Sequence, residues 1–157
     1  MDAANGLETI RGAALQGVVD ALRAGFSVDR CTLRLEGPDQ AYDVAYEARL
    51  PHARTLIADT EISLKGQPVV VALTSGEPQV VQHDSAAASD DPAFHRMLAS
   101  YGGMGAQIVT AVRVDGALLG IISLHHLGGP RTWSDEEIAL ASDAAALVGR
   151  ILRDAAA

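Results

Sequence analysis

The chain has 157 residues, enough for one compact domain with a buried core. Hydrophobic residues make up 48% and charged residues 20%, a balance that argues against disorder over the whole length. The formal net charge of −8 disfavours non-specific binding to nucleic acid or to an anionic membrane.

The lone cysteine, Cys31, has no intrachain partner, so neither a disulfide nor a thiolate metal cluster is expected. The start, Met1 to Gly6, lacks the basic and apolar regions of a signal peptide. No apolar run approaches membrane-spanning length. These features lead to the expectation of a cytoplasmic protein. Arginine far outnumbers the single lysine, Lys65, the usage of a GC-rich genome.

Leu7 to Ala24 reads as a helix, with Leu7, Ile10, Ala14, Leu15, Val18 and Leu22 at helical spacing and Gly25 as its stop. From Ser27 to Glu36 the period becomes two. Cys31, Leu33 and Leu35 point one way, Thr32, Arg34 and Glu36 the other. Gly37-Pro38-Asp39 is a turn signal. A second strand, Ala41 to Arg49, sets Tyr42, Val44, Tyr46 and Ala48 on one face, and the two strands are expected to form an antiparallel hairpin. His52 to Thr60 carries no pattern. Leu64 to Ser75 holds a short helix with Pro68 in its first turn and Gly76 after its end. Gln79 to Gln82 is a short strand, and Ser85 to Asp91 reads as a loop. Asp91-Pro92 is a cap and first-turn pair for a helix over Ala93 to Tyr101, stopped by Gly102-Gly103. Gly105 to Val114 and Ala117 to His125 form a hairpin across Asp115-Gly116. Ser134 and Glu137 make a capping box for a last helix with a stripe of Ile138, Ala141, Ala145, Val148 and Leu152. Nothing divides the chain, so residues 1–157 are read as a single domain.

This order resembles a GAF domain, of an actinobacterial type that stands alone or is excised from something longer. The stretch Val114-Asp115-Gly116-Ala117-Leu118-Leu119-Gly120-Ile121-Ile122-Ser123-Leu124 is similar to the family's late hairpin. Arg131 to Ile138 resembles its entry to the final helix, and Thr74 to Asp84 its helix-to-strand step. The resemblance implies an α+β fold with a central antiparallel sheet of five to six strands. It puts the N- and C-terminal helices on one sheet face and a pocket, roofed by helix and loop, on the other. Gly120 is expected to let a helix approach closely.

The chain carries no Gly-x-Ser-x-Gly elbow, and Cys31 sits in a strand pattern, so no catalytic residue is assigned and the chain is not read as an enzyme. His125 and His126 are adjacent on a strand and diverge, which reads as a half-exposed strand end and not as a metal site. No cysteine stands where the family's bilin attachment would need one. Met104-Gly105 occupies the place of the haem-binding histidine of related sensors, and the Asn-Lys-x-Asp-Glu signature of cyclic-GMP-binding members is absent. No cofactor is therefore assigned. The candidate ligand-contacting residues are Tyr46, His83, Asp84, Phe94, His95, Tyr101 and Gln107. The expected function is non-covalent sensing of an unidentified small molecule. Homodimerisation through the two terminal helices and a signalling protein partner are also expected, and no nucleic-acid or membrane partner is. The alternative is a ligand-free dimerisation or interaction module.

Overall fold

The structure is a computed structural model that describes residues 3–156. Five strands form one antiparallel sheet: β1 (Arg30–Glu36), β2 (Tyr42–Arg49), β3 (Gln79–Gln82), β4 (Met104–Val114) and β5 (Ala117–Leu127). Their order across the sheet is β2-β1-β5-β4-β3. The helices are α1 (Ala3–Phe26), α2 (Pro68–Thr74), α3 (Ser85–Ala88), α4 (Pro92–Ser100) and α5 (Asp135–Ala156). The α+β class and the five-strand sheet are those the sequence predicts.

Two apolar clusters cover the two sheet faces. On one, Leu15, Val19, Leu22 and Phe26 of α1 and Ala141, Ala145, Val148 and Leu152 of α5 pack on Cys31, Leu33, Ile108, Ile122 and Leu124. The buried positions of each helix recur at three and four residues, so one stripe meets the sheet. The other face carries Val44, Val109 and Ile121 from the strands, with Leu73 of α2 and Phe94 and Met97 of α4 above them.

The ends of the elements follow local chemistry. Glu137 N–H donates to Ser134 Oγ at 3.1 Å and Ser134 N–H to Glu137 Oε1 at 3.0 Å, a reciprocal capping box that starts α5. Asp91 caps α4 by accepting from the backbone of Ala93 and Phe94. Asp115 and Gly116 both have positive φ, 51° and 83°, as a two-residue hairpin turn matched to strand twist requires.

Four local expectations are corrected. Gly25 lies inside α1; the helix runs to Phe26, and Ser27 (φ 52°) takes the left-handed position after it. The segment from Ser85 is not all loop, because Asp84 accepts from Ala87 N–H and winds Ser85–Ala88 into one helical turn. The face of β2 is not continuous. Leu33 pairs with Tyr46 but Arg34 with Val44, so Ala45 is bulged out. That extra residue leaves Tyr42 and Val44 on one face of the sheet and turns Tyr46 and Ala48 to the α1 side. Finally, Gly120 makes room for a strand and not a helix. A Cβ there would lie 2.8 Å from the carbonyl oxygen of Arg34 on β1. The close helix approach belongs to Gly149 of α5, whose added Cβ would sit 3.3 Å from the carbonyl oxygen of Arg113 on β4.

Candidate functional site

The alternation of β1 sends Arg30, Thr32 and Arg34 to the face away from α1 and α5. Beside them on β5 run His125, Ser123 and Ile121, in register as Arg30↔His125, Thr32↔Ser123 and Arg34↔Ile121. Gln107 of β4 lies opposite His125 on the other side. This side-by-side placement builds a polar floor in the middle of the sheet.

Arg30 is fully buried. Its Nε donates to His125 Nδ1 at 3.1 Å, its Nη2 to the Tyr101 carbonyl at 2.7 Å, and its Nη1 to the Arg54 carbonyl at 3.1 Å. Among the described residues no carboxylate forms an ion pair with Arg30 or Arg34. Burial lowers the Arg30 guanidinium to about 10, with the Arg54 cation adding to the effect, so it stays charged at neutral pH. Burial also pushes His125 well below its ordinary value, and the charges of Arg30 and Arg34 push the same way. The imidazole is therefore neutral. Because Nδ1 accepts from Arg30, the ring proton resides on Nε2. That Nε2–H has no hydrogen-bond partner.

Tyr101 lies at the end of α4, where Gly102 and Gly103 (φ 97° and 76°) turn the chain into β4. Its ring stacks on His125 with centroids 6.0 Å apart, and its hydroxyl accepts from Arg34 Nη2 at 3.1 Å. The roof comes from α2 (Val69, Val70, Leu73), Met97 of α4, and Leu64 and Gln67 from the segment between β2 and α2. Floor and roof border a partly open cavity of about 40 Å³, further lined by Arg34, Tyr101, Met104, Gln107, Val109, Ile121, Ser123 and His125. No carboxylate lines it. The side-chain oxygen of Gln67 is buried and has no hydrogen-bond partner. At its outer end the cavity shares Arg34, Leu64 and Val70 with a groove of about 550 Å³ that carries Asp39, Asp43, Asp59 and Lys65. A wider depression of about 780 Å³ beside Asp20, Arg23 and Glu47 is open surface relief away from this floor.

Of the seven residues singled out from sequence, Tyr101 and Gln107 line the cavity. Gln107 donates to Gln82 Oε1 at 2.9 Å. Phe94 is fully buried in the apolar cluster under α4 and does not line the cavity. His95 is exposed on the same helix and bonds the Ser89 carbonyl at 2.6 Å. Tyr46 sits under α1, on the opposite sheet face, because of the bulge at Ala45. His83 is exposed and accepts from the backbone N–H of Trp133 at 3.0 Å, so it faces the start of α5 and not the cavity. Asp84 is a helix cap, and it does not pair with His83.

The residues missing from that list are Arg30, Arg34, Gln67, Ser123 and His125. His125 is not at a half-exposed strand end; it is 3% exposed and meets Arg30 across 95 positions of sequence. The available signal was the alternation Arg30-Thr32-Arg34, which by itself reads as a solvated strand face. Cys31 is buried on the helix-covered face, where burial raises its thiol far above the ordinary range. Among the described residues no three His, Cys, Asp or Glu side chains converge as metal ligands, and no helix is long and apolar enough to cross a membrane.

The fold is similar to that of the cyanobacteriochrome TePixJ GAF domain, with a TM-score of 0.80 and 19% identity over 92% of this chain and 90% of that one. It is also similar to GAF3 of Slr1393 from Synechocystis sp. PCC6803, with a TM-score of 0.76 and 20% identity over 95% and 94% of the two chains. A third likeness is to the GAF domain of an Acinetobacter phosphoenolpyruvate-protein phosphotransferase, with a TM-score of 0.72 and 15% identity over 92% and 83%. No curated protein sequence matches the chain. The GAF-domain family model matches residues 11–152, and with that span the chain belongs to the GAF family.

Proposed function

We propose that this GAF domain is a regulatory sensor module that binds a small molecule non-covalently in the cavity between the β1–β5–β4 floor and the α2–α4 roof. The observation that carries the reading is the buried Gln67 side-chain oxygen, which has no hydrogen-bond partner and stands in the same cavity lining as His125, whose Nε2–H makes no hydrogen bond. Buried polar groups are ordinarily paired, and a pocket with an apolar lining and a few placed polar groups is the usual form of a ligand site. The module is read as acting by binding and not by catalysis. It needs no cofactor. A structure of similar fold, the far-red absorbing dark state of JSC1_58120g3, has bound biliverdin IXa. Here the one thiol faces the helix-covered side, so covalent attachment of a bilin at Cys31 is disfavoured. A cytoplasmic location and a signalling protein partner complete the reading.

Signal output is assigned to α1 and α5. Leu7 and Ile10 of α1 are 68% and 67% exposed, and Leu140 and Leu147 of α5 are 51% and 41% exposed. These side chains lie outside the core stripes and suit a helical homodimer across a two-fold axis. The second reading, a dimerisation module without ligand, is favoured by the same leucines and by the small size of the cavity.

Thermal denaturation in metabolite fractions from the host tests the choice. A ligand that binds only the folded state raises the melting temperature with concentration. Val70→Trp, which fills the mouth shared by cavity and groove, abolishes that rise if the cavity is the site. An equal rise in the variant places the ligand outside this cavity, and no rise in the wild type favours the ligand-free module.

A further inference from the structure

Resting on that reading of the cavity, we infer that its ligand is a small carboxylate, held by its anionic end against Arg34, His125 and Ser123. The charge pattern is particular. The protein as a whole is acidic at −8, yet the cavity lining holds one guanidinium and no carboxylate. A second guanidinium, Arg30, lies directly behind His125 at 3.1 Å. Arg34 spends Nη1 on the Tyr42 carbonyl and Nη2 on the Tyr101 hydroxyl, which fixes its plane and leaves its Nε–H without a partner. The neutral His125 offers Nε2–H to the same space, and Ser123, between them in register, offers its hydroxyl. Three donor residues and a formal positive charge share this lining, while the nearest carboxylates, Asp39, Asp43 and Asp59, stand in the adjoining groove that Arg34 also borders. A guanidinium with a free donor beside two further donors gains most from a planar oxyanion that accepts several charge-assisted hydrogen bonds.

The rest of the lining sets the ligand's body. Val69, Leu73, Met97, Val109 and Ile121 are apolar, so the part beyond the carboxylate is short and aliphatic. The unpaired Gln67 oxygen adds a place for one ligand hydroxyl or amine donor. A volume of about 40 Å³ limits the buried part of the occupant to a few heavy atoms. A cationic ligand would bury its charge against Arg34 and Arg30 and is excluded by the same electrostatics.

Three probes of one shape test this: propionate, propionamide and propylammonium, titrated at constant ionic strength and followed by backbone amide NMR. Propionate is expected to shift the amides of Gln107, Ser123 and His125 saturably, and to bind about tenfold or more tightly than propionamide, as one lost charge-assisted bond implies. Propylammonium is expected to leave those amides unmoved. Arg34→Gln should erase the preference for propionate over propionamide. Equal binding of propionate and propionamide, or tighter binding of propylammonium, overturns the carboxylate and leaves the cavity reading standing. No saturable shift at these amides from any probe into the tens of millimolar overturns both.

Discussion

Replacing Arg30 with methionine removes a buried charge and three hydrogen bonds at once. The acceptors left behind are His125 Nδ1, the Tyr101 carbonyl and the Arg54 carbonyl. The first two contacts are buried and the third is partly buried, so water can replace only the last donor. Each fully orphaned acceptor costs roughly 1–3 kcal/mol. Removing the guanidinium offsets part of that, because its own desolvation disappears and no carboxylate is stranded. The net expectation is a loss of about 3 kcal/mol, or a melting temperature lower by about 10 °C for a domain of this length. Arg30→Lys keeps the charge and one donor direction, and should fall between. Urea unfolding at neutral pH measures both. If Arg30→Met unfolds within about 0.5 kcal/mol of the wild type, the three bonds do not organise the floor as argued.

Three further outcomes are expected. His125 binds its proton far less readily folded than unfolded, so stability is complete above about pH 6.5 and falls as pH drops below it, by up to about 1.4 kcal/mol per unit; in His125→Gln, urea midpoints between pH 6.5 and 5.5 should be flatter, and an unchanged slope would contradict the burial of a neutral ring. Gly120→Ala should cost about 2 kcal/mol by overpacking, because its Cβ would meet the Arg34 carbonyl at 2.8 Å and Leu35 Cδ2 at 3.3 Å; unaltered thermal stability would show that β1 and β5 yield there. The double variant Leu140→Asp with Leu147→Asp should be monomeric by light scattering under conditions where the wild type is a dimer, with its melting curve read in parallel; a persisting dimer would remove α5 from the interface.

What sequence could and could not carry divides by range. The capping box at Ser134 and Glu137, the Asp91-Pro92 start of α4 and the Asp115-Gly116 turn are legible because each is decided within four residues. The bulge at Ala45 is not, since an alternating pattern continues through it and only pairing with β1 reveals the extra residue. Tyr46 was assigned to the site for that reason. Tyr101 and Gln107, placed near the roof and on a pocket-facing strand by the sequence reading, line the cavity. Arg30, Arg34 and His125 were not legible, because an arginine in a strand looks solvated until its partners, here 71 and 95 positions away, are brought beside it. His83 next to Asp84 suggested a pair; backbone geometry gives one to Trp133 and the other to the cap of α3.

The most direct test of the central claim is native mass spectrometry of the protein purified gently from its own host, followed by denaturation of the same sample. The account predicts a complex heavier than the bare chains by a small, uniform mass that departs on unfolding and is absent from Val70→Trp. Bare chains alone, or an extra mass retained equally by Val70→Trp, would contradict a sensor that reads its ligand in this cavity.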